Sequence, residues 1–101
     1  MLNQTILVGR IAGDFENVDN NFRKVVLAVN RSYKNVEGIY ETDFIPCLLG
    51  GAIATNTVEY CRKGDLIGIK GRIEVRNNEV SIIAEKVTFL SSKSKDNENT
   101  N

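Results

Sequence analysis

Gly51-Ala52-Ile53-Ala54-Thr55-Asn56-Thr57-Val58-Glu59-Tyr60-Cys61-Arg62-Lys63-Gly64 breaks a chain of strand signals, and its reading decides the fold. Ile53, Thr57, Tyr60 and Cys61 fall near one helical face, with Ala54 and Val58 beside them. Arg62 and Lys63 follow where a last helical turn favours cations, and Gly64 is a natural stop. A helix is expected over 51–63.

On its N-terminal side lie three strand signals. Gln4 to Ala12 holds Ile6-Leu7-Val8 and Ile11, with Gly9 and Gly13 at positions suited to a bulge or barrel corner. Phe22 to Asn30 places Val25, Leu27 and Val29 in one phase, and Thr42 to Leu49 follows after a polar stretch, Arg31 to Glu41, that reads as a long loop. On the C-terminal side, Leu66 to Arg76 alternates Ile67, Ile69, Ile73 and Val75 with Lys70, Arg72, Glu74 and Arg76. This is half-buried strand alternation. Glu79 to Leu90 is a fifth strand, joined to the fourth by Asn77-Asn78, which suits a tight hairpin because Asn tolerates positive φ. Three strands, a helix and two strands is the element order of an all-β, five-stranded OB-fold Greek-key barrel, with one helix between strands 3 and 4. A five-stranded barrel of another topology is the competitor.

The length of 101 residues allows one small domain, set at 1–90. From Ser91 to Asn101 no apolar residue offers an anchor, so 91–101 is expected to be a disordered polar tail. Thirteen Lys and Arg balance thirteen Asp and Glu. That balance disfavours indiscriminate polyanion binding but permits a local basic groove. No apolar run approaches the ~18 residues of a membrane span. The N-terminus has no signal-peptide pattern, so a cytoplasmic location is expected. Cys47 and Cys61 are then read as reduced, buried thiols.

The chain has no His, which removes His-dependent catalysis and most zinc sites. No nucleophile, base and orienting group stand at a recognisable spacing, and Gly68 to Gly71 lies within a strand rather than at a phosphate-cradling turn. No catalytic residue, metal or cofactor is assigned, and an enzyme is not expected. Aromatic and basic residues remain. Single strands are bound by rings on which bases stack and by Lys or Arg along the phosphates. Tyr33 sits between Arg31 and Lys34. Phe44 shares a phase with Thr42, Pro46 and Leu48, opposite to Ile45, Cys47 and Leu49. Both rings admit a second reading, as packing against the barrel or a loop.

The blocks Asn3-Gln4-Thr5-Ile6-Leu7-Val8-Gly9-Arg10-Ile11, Leu27 to Lys34, Glu41 to Ile45, Asn56 to Cys61 and Lys63 to Arg72 together resemble the bacterial single-stranded DNA-binding protein (SSB) family. They follow the family's order over nearly all of residues 3–90. The resemblance implies an OB-fold that binds single-stranded DNA without sequence preference in replication, recombination and repair. It also implies a homotetramer, built through first strands and then face to face, and it puts Tyr33 and Phe44 at the positions of base-stacking aromatics. Arg31, Lys34, Lys70, Arg72 and Arg76 are the candidates for phosphate contacts, with Arg10 and Arg23 in second rank.

Four departures stand out. Gly50 occurs where the family commonly has an aromatic, so one stacking platform is expected to be missing. The last hairpin shrinks to Arg76-Asn77-Asn78-Glu79, which could leave a dimer. Pro46 is unusual in mid-strand, and the tail lacks the family's acidic, hydrophobic recruitment tip. These features suit a compact, accessory-type member. They also sustain an alternative: an OB-fold interaction or assembly module whose single-strand binding has weakened.

Overall fold

The computed structural model describes residues 2–92. Its elements are β1 (Thr5–Ile11), β2 (Glu16–Asn17), β3 (Phe22–Lys34), β4 (Tyr40–Gly50), α1 (Gly51–Tyr60), β5 (Leu66–Arg76) and β6 (Glu79–Ser91). They form one sheet in the order β1-β5-β6-β4-β3-β2, which closes because β1 also pairs β3. Closure is brief: β1 meets β3 only at Arg10 and Ile11, whereas it pairs β5 from Thr5 to Arg10. A Cβ on Gly9 would collide with the Ala28 carbonyl oxygen, so glycine is what lets the two backbones approach there. The five long strands and the helix follow the expected order, and the two-residue β2 is added at the edge.

The core fills the barrel. Ile11, Val25, Leu27, Cys47, Leu49, Ile67 and Ile69 are all essentially excluded from solvent. Helix α1 covers one end with Ala54 and Thr57, and Cys61 joins the same cluster. Both cysteines are buried free thiols, and burial pushes the Cys47 thiol up to about 12. Asn77 and Asn78 both take positive φ, at 50° and 65°, as a tight hairpin between twisted strands requires.

Pro46 fits mid-strand for a local reason. It faces Val26, whose carbonyl accepts from the Ala12 N–H at 2.9 Å and therefore points away from β4. The Val26–Pro46 pair is thus one without mutual hydrogen bonds, and the Pro46 nitrogen points towards β6. There the parallel β4–β6 ladder involves only Cys47 and Leu48.

Three boundaries differ from the sequence reading. Helix α1 ends at Tyr60, so Arg62 and Lys63 lie beyond its last turn. Arg62 serves the same end from outside, its Nη1 donating to the carbonyls of Val58 and Glu59 at 3.2 and 3.0 Å. The expected loop over 31–41 is mostly strand, because β3 and β4 continue as a ribbon that turns only around Asn35 to Ile39. Its polar composition masked cross-strand bonding. Ile73 and Val75 keep the phase of Ile67 but are exposed, since the β5–β6 ribbon runs past the core. Of the tail expected to be disordered, Ser91 ends β6, and residues 93–101 lie outside the described residues.

Candidate nucleic-acid interface

Register builds a continuous strip on the outside of β3 and β4. Directly opposed residues of an antiparallel pair share a face. Val25, Leu27, Cys47 and Leu49 point inward, so the alternate pairs Lys34–Tyr40, Asn30–Thr42, Ala28–Phe44, Val26–Pro46, Lys24–Leu48 and Phe22–Gly50 take the outer face, where Leu48 alone is itself buried beneath its neighbours. Phe44 is the exposed ring at its centre, 65% accessible. It stands as a ridge between two open grooves. One, of about 490 Å³, is lined by Gly9, Arg10, Ala28, Asn30, Thr42 and Leu66. The other, of about 390 Å³, runs along Ala12 to Asp14, Glu16 and Val26. A ring opposite Ala28 has nothing tall beside it, which leaves its face open to a planar partner.

The upper end of the strip is held by polar contacts. Thr42 donates to Asn30 Oδ1 at 2.8 Å, and Lys34 Nζ lies 5.6 Å from the centre of the Tyr40 ring. Arg31 belongs to the opposite phase. Its guanidinium grips Asp43 (Nη2–Oδ1 2.9 Å, Nε–Oδ2 3.2 Å) and Glu41 (Nη1–Oε2 2.7 Å). The hydrogen bonds from Arg31 hold the Asp43 carboxyl below its ordinary value. Tyr33 is exposed and shares the Arg31 phase, on the segment where the register slips between Asn30 and Lys34.

The other basic candidates lie at several places on the barrel, Arg72 and Arg76 together on one face of β5. Arg10 is on the Phe44 side and donates to the Gly64 carbonyl at 2.9 Å. Arg23 lies beside the start of α1, near Gly51 and Thr55. Lys70 is on β5, between Ile6 of β1 and Lys86 of β6. Arg72 is engaged by Glu74 and Glu85 at 3.3 and 3.2 Å. Arg76 is bound to Glu74 at 2.8 Å and lies on the Phe22 ring, 4.6 Å from its centre. The structure therefore gathers Phe44, Lys34 and Arg10 on one face with Arg76 at its far end, ties Arg72 to Arg76 through their shared partner Glu74, and sets Arg31 in the opposite phase.

Tyr40, Lys24 and Phe22 belong to the strip but were not among the candidate site residues of the sequence. Lys24 meets Glu79 at 3.3 Å. Phe22 was legible in one respect, since it shares its phase with Lys24, Val26 and Ala28. Among the described residues no cluster of three His, Cys, Asp or Glu side chains could hold a metal ion, and no helix is long and apolar enough to cross a membrane.

An OB-type barrel with exposed rings along one outer face is the setting in which the comparisons fall. The family model described as "Single-strand binding protein family" matches residues 2–90. This chain belongs to that family. Among its relatives, single-stranded DNA-binding protein B of Bacillus subtilis is 38% identical, over 92% of this chain and 94% of that protein. Single-stranded DNA-binding protein 1 of Clostridium acetobutylicum is 33% identical over 91% and 96%. Among solved structures, the small single-stranded DNA-binding protein of Streptomyces coelicolor superposes with a TM-score of 0.70 at 24% identity, covering 89% of this chain and 96% of that one. The yeast mitochondrial single-stranded DNA-binding protein Rim1 also gives a TM-score of 0.70, at 21% identity over 91% and 99%. At those identities the two structures speak to the fold alone, and they agree with the barrel described above.

Proposed function

We propose that this chain binds single-stranded DNA without sequence preference, as a binding protein rather than an enzyme, in DNA replication, recombination or repair. One observation carries the reading: the Phe44 ring stands open on the outer face of β3–β4, between two grooves and within a family of single-strand binders. Every base has a π-face, so stacking on such a ring is indifferent to sequence. Phe44 is the central stacking residue and Tyr33 a second one, reached from the ribbon beyond the barrel. Lys34 and Arg10 flank the Phe44 path as phosphate contacts. Arg31, Arg72 and Arg76 reach phosphate only by exchanging their carboxylate partners, while Lys70 and Arg23 lie off the path.

Ion pairing changes the expected salt response. Basic residue count alone predicts a steep one, but with two phosphates neutralised a slope of about −1.4 in log K against log salt is expected. Fluorescence anisotropy with labelled dT oligonucleotides at low and moderate salt tests this reading. Saturable binding that exceeds binding to duplex of equal length is the expected result. No binding at any length would leave the interaction-module alternative in place.

Self-association goes with this function. The edge of β1 from Thr5 to Val8 that faces away from β5 has no ladder partner among the described residues, since β1 meets β3 only at Arg10 and Ile11. Ile6 and Val8 are exposed beside it. A dimer or tetramer of this chain, formed first through β1, would cover them. The two unpaired buried thiols fit a reducing cytoplasm.

A further inference from the structure

At Gly50 the sequence leaves a gap in the row of rings, and the structure shows what fills it. Phe22 is the direct cross-strand partner of Gly50. A Cβ built on Gly50 would lie 3.2 Å from Phe22 Cε1, so the Phe22 ring occupies the space that a side chain at 50 would claim. The backbone of Gly50 is ordinary extended chain (φ −119°), so the glycine answers a need for space rather than for conformation.

Above this ring lies Arg76, 4.6 Å from the centroid, with its side chain 41% accessible. The pair stands between two open grooves. One, of about 360 Å³, passes Asn21, Phe22 and Thr55. The other, of about 470 Å³, passes Lys24, Leu48 and Arg76. The Arg76 guanidinium is engaged by Glu74 at 2.8 Å, a carboxylate it shares with Arg72. A guanidinium so paired offers a flat face more than a net charge, which suits a base rather than a phosphate. From Phe44 to Gly50 the strand advances roughly 20 Å, and Pro46, Val26 and Leu48 give the interval an apolar floor.

We infer that the Phe22–Arg76 pair is a further base-stacking site for single-stranded DNA, relocated from β4 to β3 at the far end of the strip on which Phe44 is central. The inference rests on the proposed single-strand function. A strand long enough to cross the interval reaches both rings, and a short one reaches only one of them.

Two substitutions test it. Phe22→Leu keeps the apolar volume over Gly50 and removes the π-face. Wild type should gain affinity between dT oligonucleotides of about 3 and about 16 nucleotides, and Phe22→Leu should lose about fivefold or more on the longer one only. Arg76→Lys, which keeps the charge and removes the plane, should lose part of the same gain. The chain contains no Trp, so Phe22→Trp supplies a lone reporter whose emission the longer oligonucleotide should quench. If Phe22→Leu lowers the melting temperature too far for titration, quenching of Phe22→Trp decides alone. Unquenched Phe22→Trp in a protein that binds the longer oligonucleotide, with Phe44→Ala weakening that binding, overturns this site and leaves the function standing. Absence of binding by wild type overturns both.

Discussion

The barrel has two outer faces that both expose apolar side chains, and they expose different kinds. Along β3–β4 the exposed apolar residues include rings, Phe44 and Tyr40, and the charges beside them are engaged within the chain: Lys24 by Glu79, Arg76 by Glu74. Along β1–β5–β6 they are mainly aliphatic, with Ile6, Val8, Ile73, Val75, Val80 and Leu90 exposed beside a single ring, Phe89, while Lys70 stands directly opposite Lys86. A ring gives a planar partner a defined surface to stack on, even when one side stays wet. An exposed Ile or Val gains chiefly when another apolar surface covers it. The contrast is the one expected if, as proposed above, DNA runs along the first face and a second copy of the chain covers the other.

The strongest way to break this division is to charge the aliphatic face. Ile6→Asp with Val8→Asp should reduce the mass in light scattering from two or four protomers to one, 11.2 kDa, with the cooperative melt retained. A wild-type mass already at one protomer would show that no second copy covers the aliphatic face. Stripping the aromatic face comes next. Phe44→Ala should weaken single-strand binding by about 1–3 kcal/mol. Its melting temperature and its mass should hardly change, because the ring is 65% exposed. Tyr33→Ala should fall at or below the lower end of that range, since Tyr33 shares the phase of Arg31 rather than that of Phe44. Equal losses at the two positions would place the DNA across the ribbon instead of along the strip.

A smaller effect should come from uncovering a charge. Asp43→Asn removes the main partner of Arg31 and should steepen the salt slope by up to about 0.7, the value of one more phosphate contact on a single strand. The smallest is a pH effect on the same pair. Asp43 is held below its ordinary 3.8, so the pair's contribution to stability is present above that value and fades as pH falls through the lower folded one. Thermal melts of wild type and Arg31→Ala should therefore converge between pH 5 and pH 2 (about the span over which such a carboxylate protonates). Parallel curves across that range would show that the pair contributes nothing to folding.

Much of this was legible in the chain itself. Alternation in β3 and β5, the helical spacing after Gly51 and the Asn77–Asn78 turn are local patterns of backbone preference and burial, and they produced the element order and with it the barrel. Phe44 could be placed on the outside because Ile45, Cys47 and Leu49 claimed the inside. Register lay beyond that reading. Which residue of β3 stands opposite which residue of β4 depends on where the ribbon turns, and the polar run from Arg31 to Glu41 looked like loop because its strand character rests on cross-strand bonds between Arg31, Asp43, Asn30 and Thr42. Only the folded sheet put Phe22 over Gly50, Arg76 on Phe22 and carboxylates against Arg31, because those neighbours are chosen by pairing across strands and not by anything within a few residues of each other.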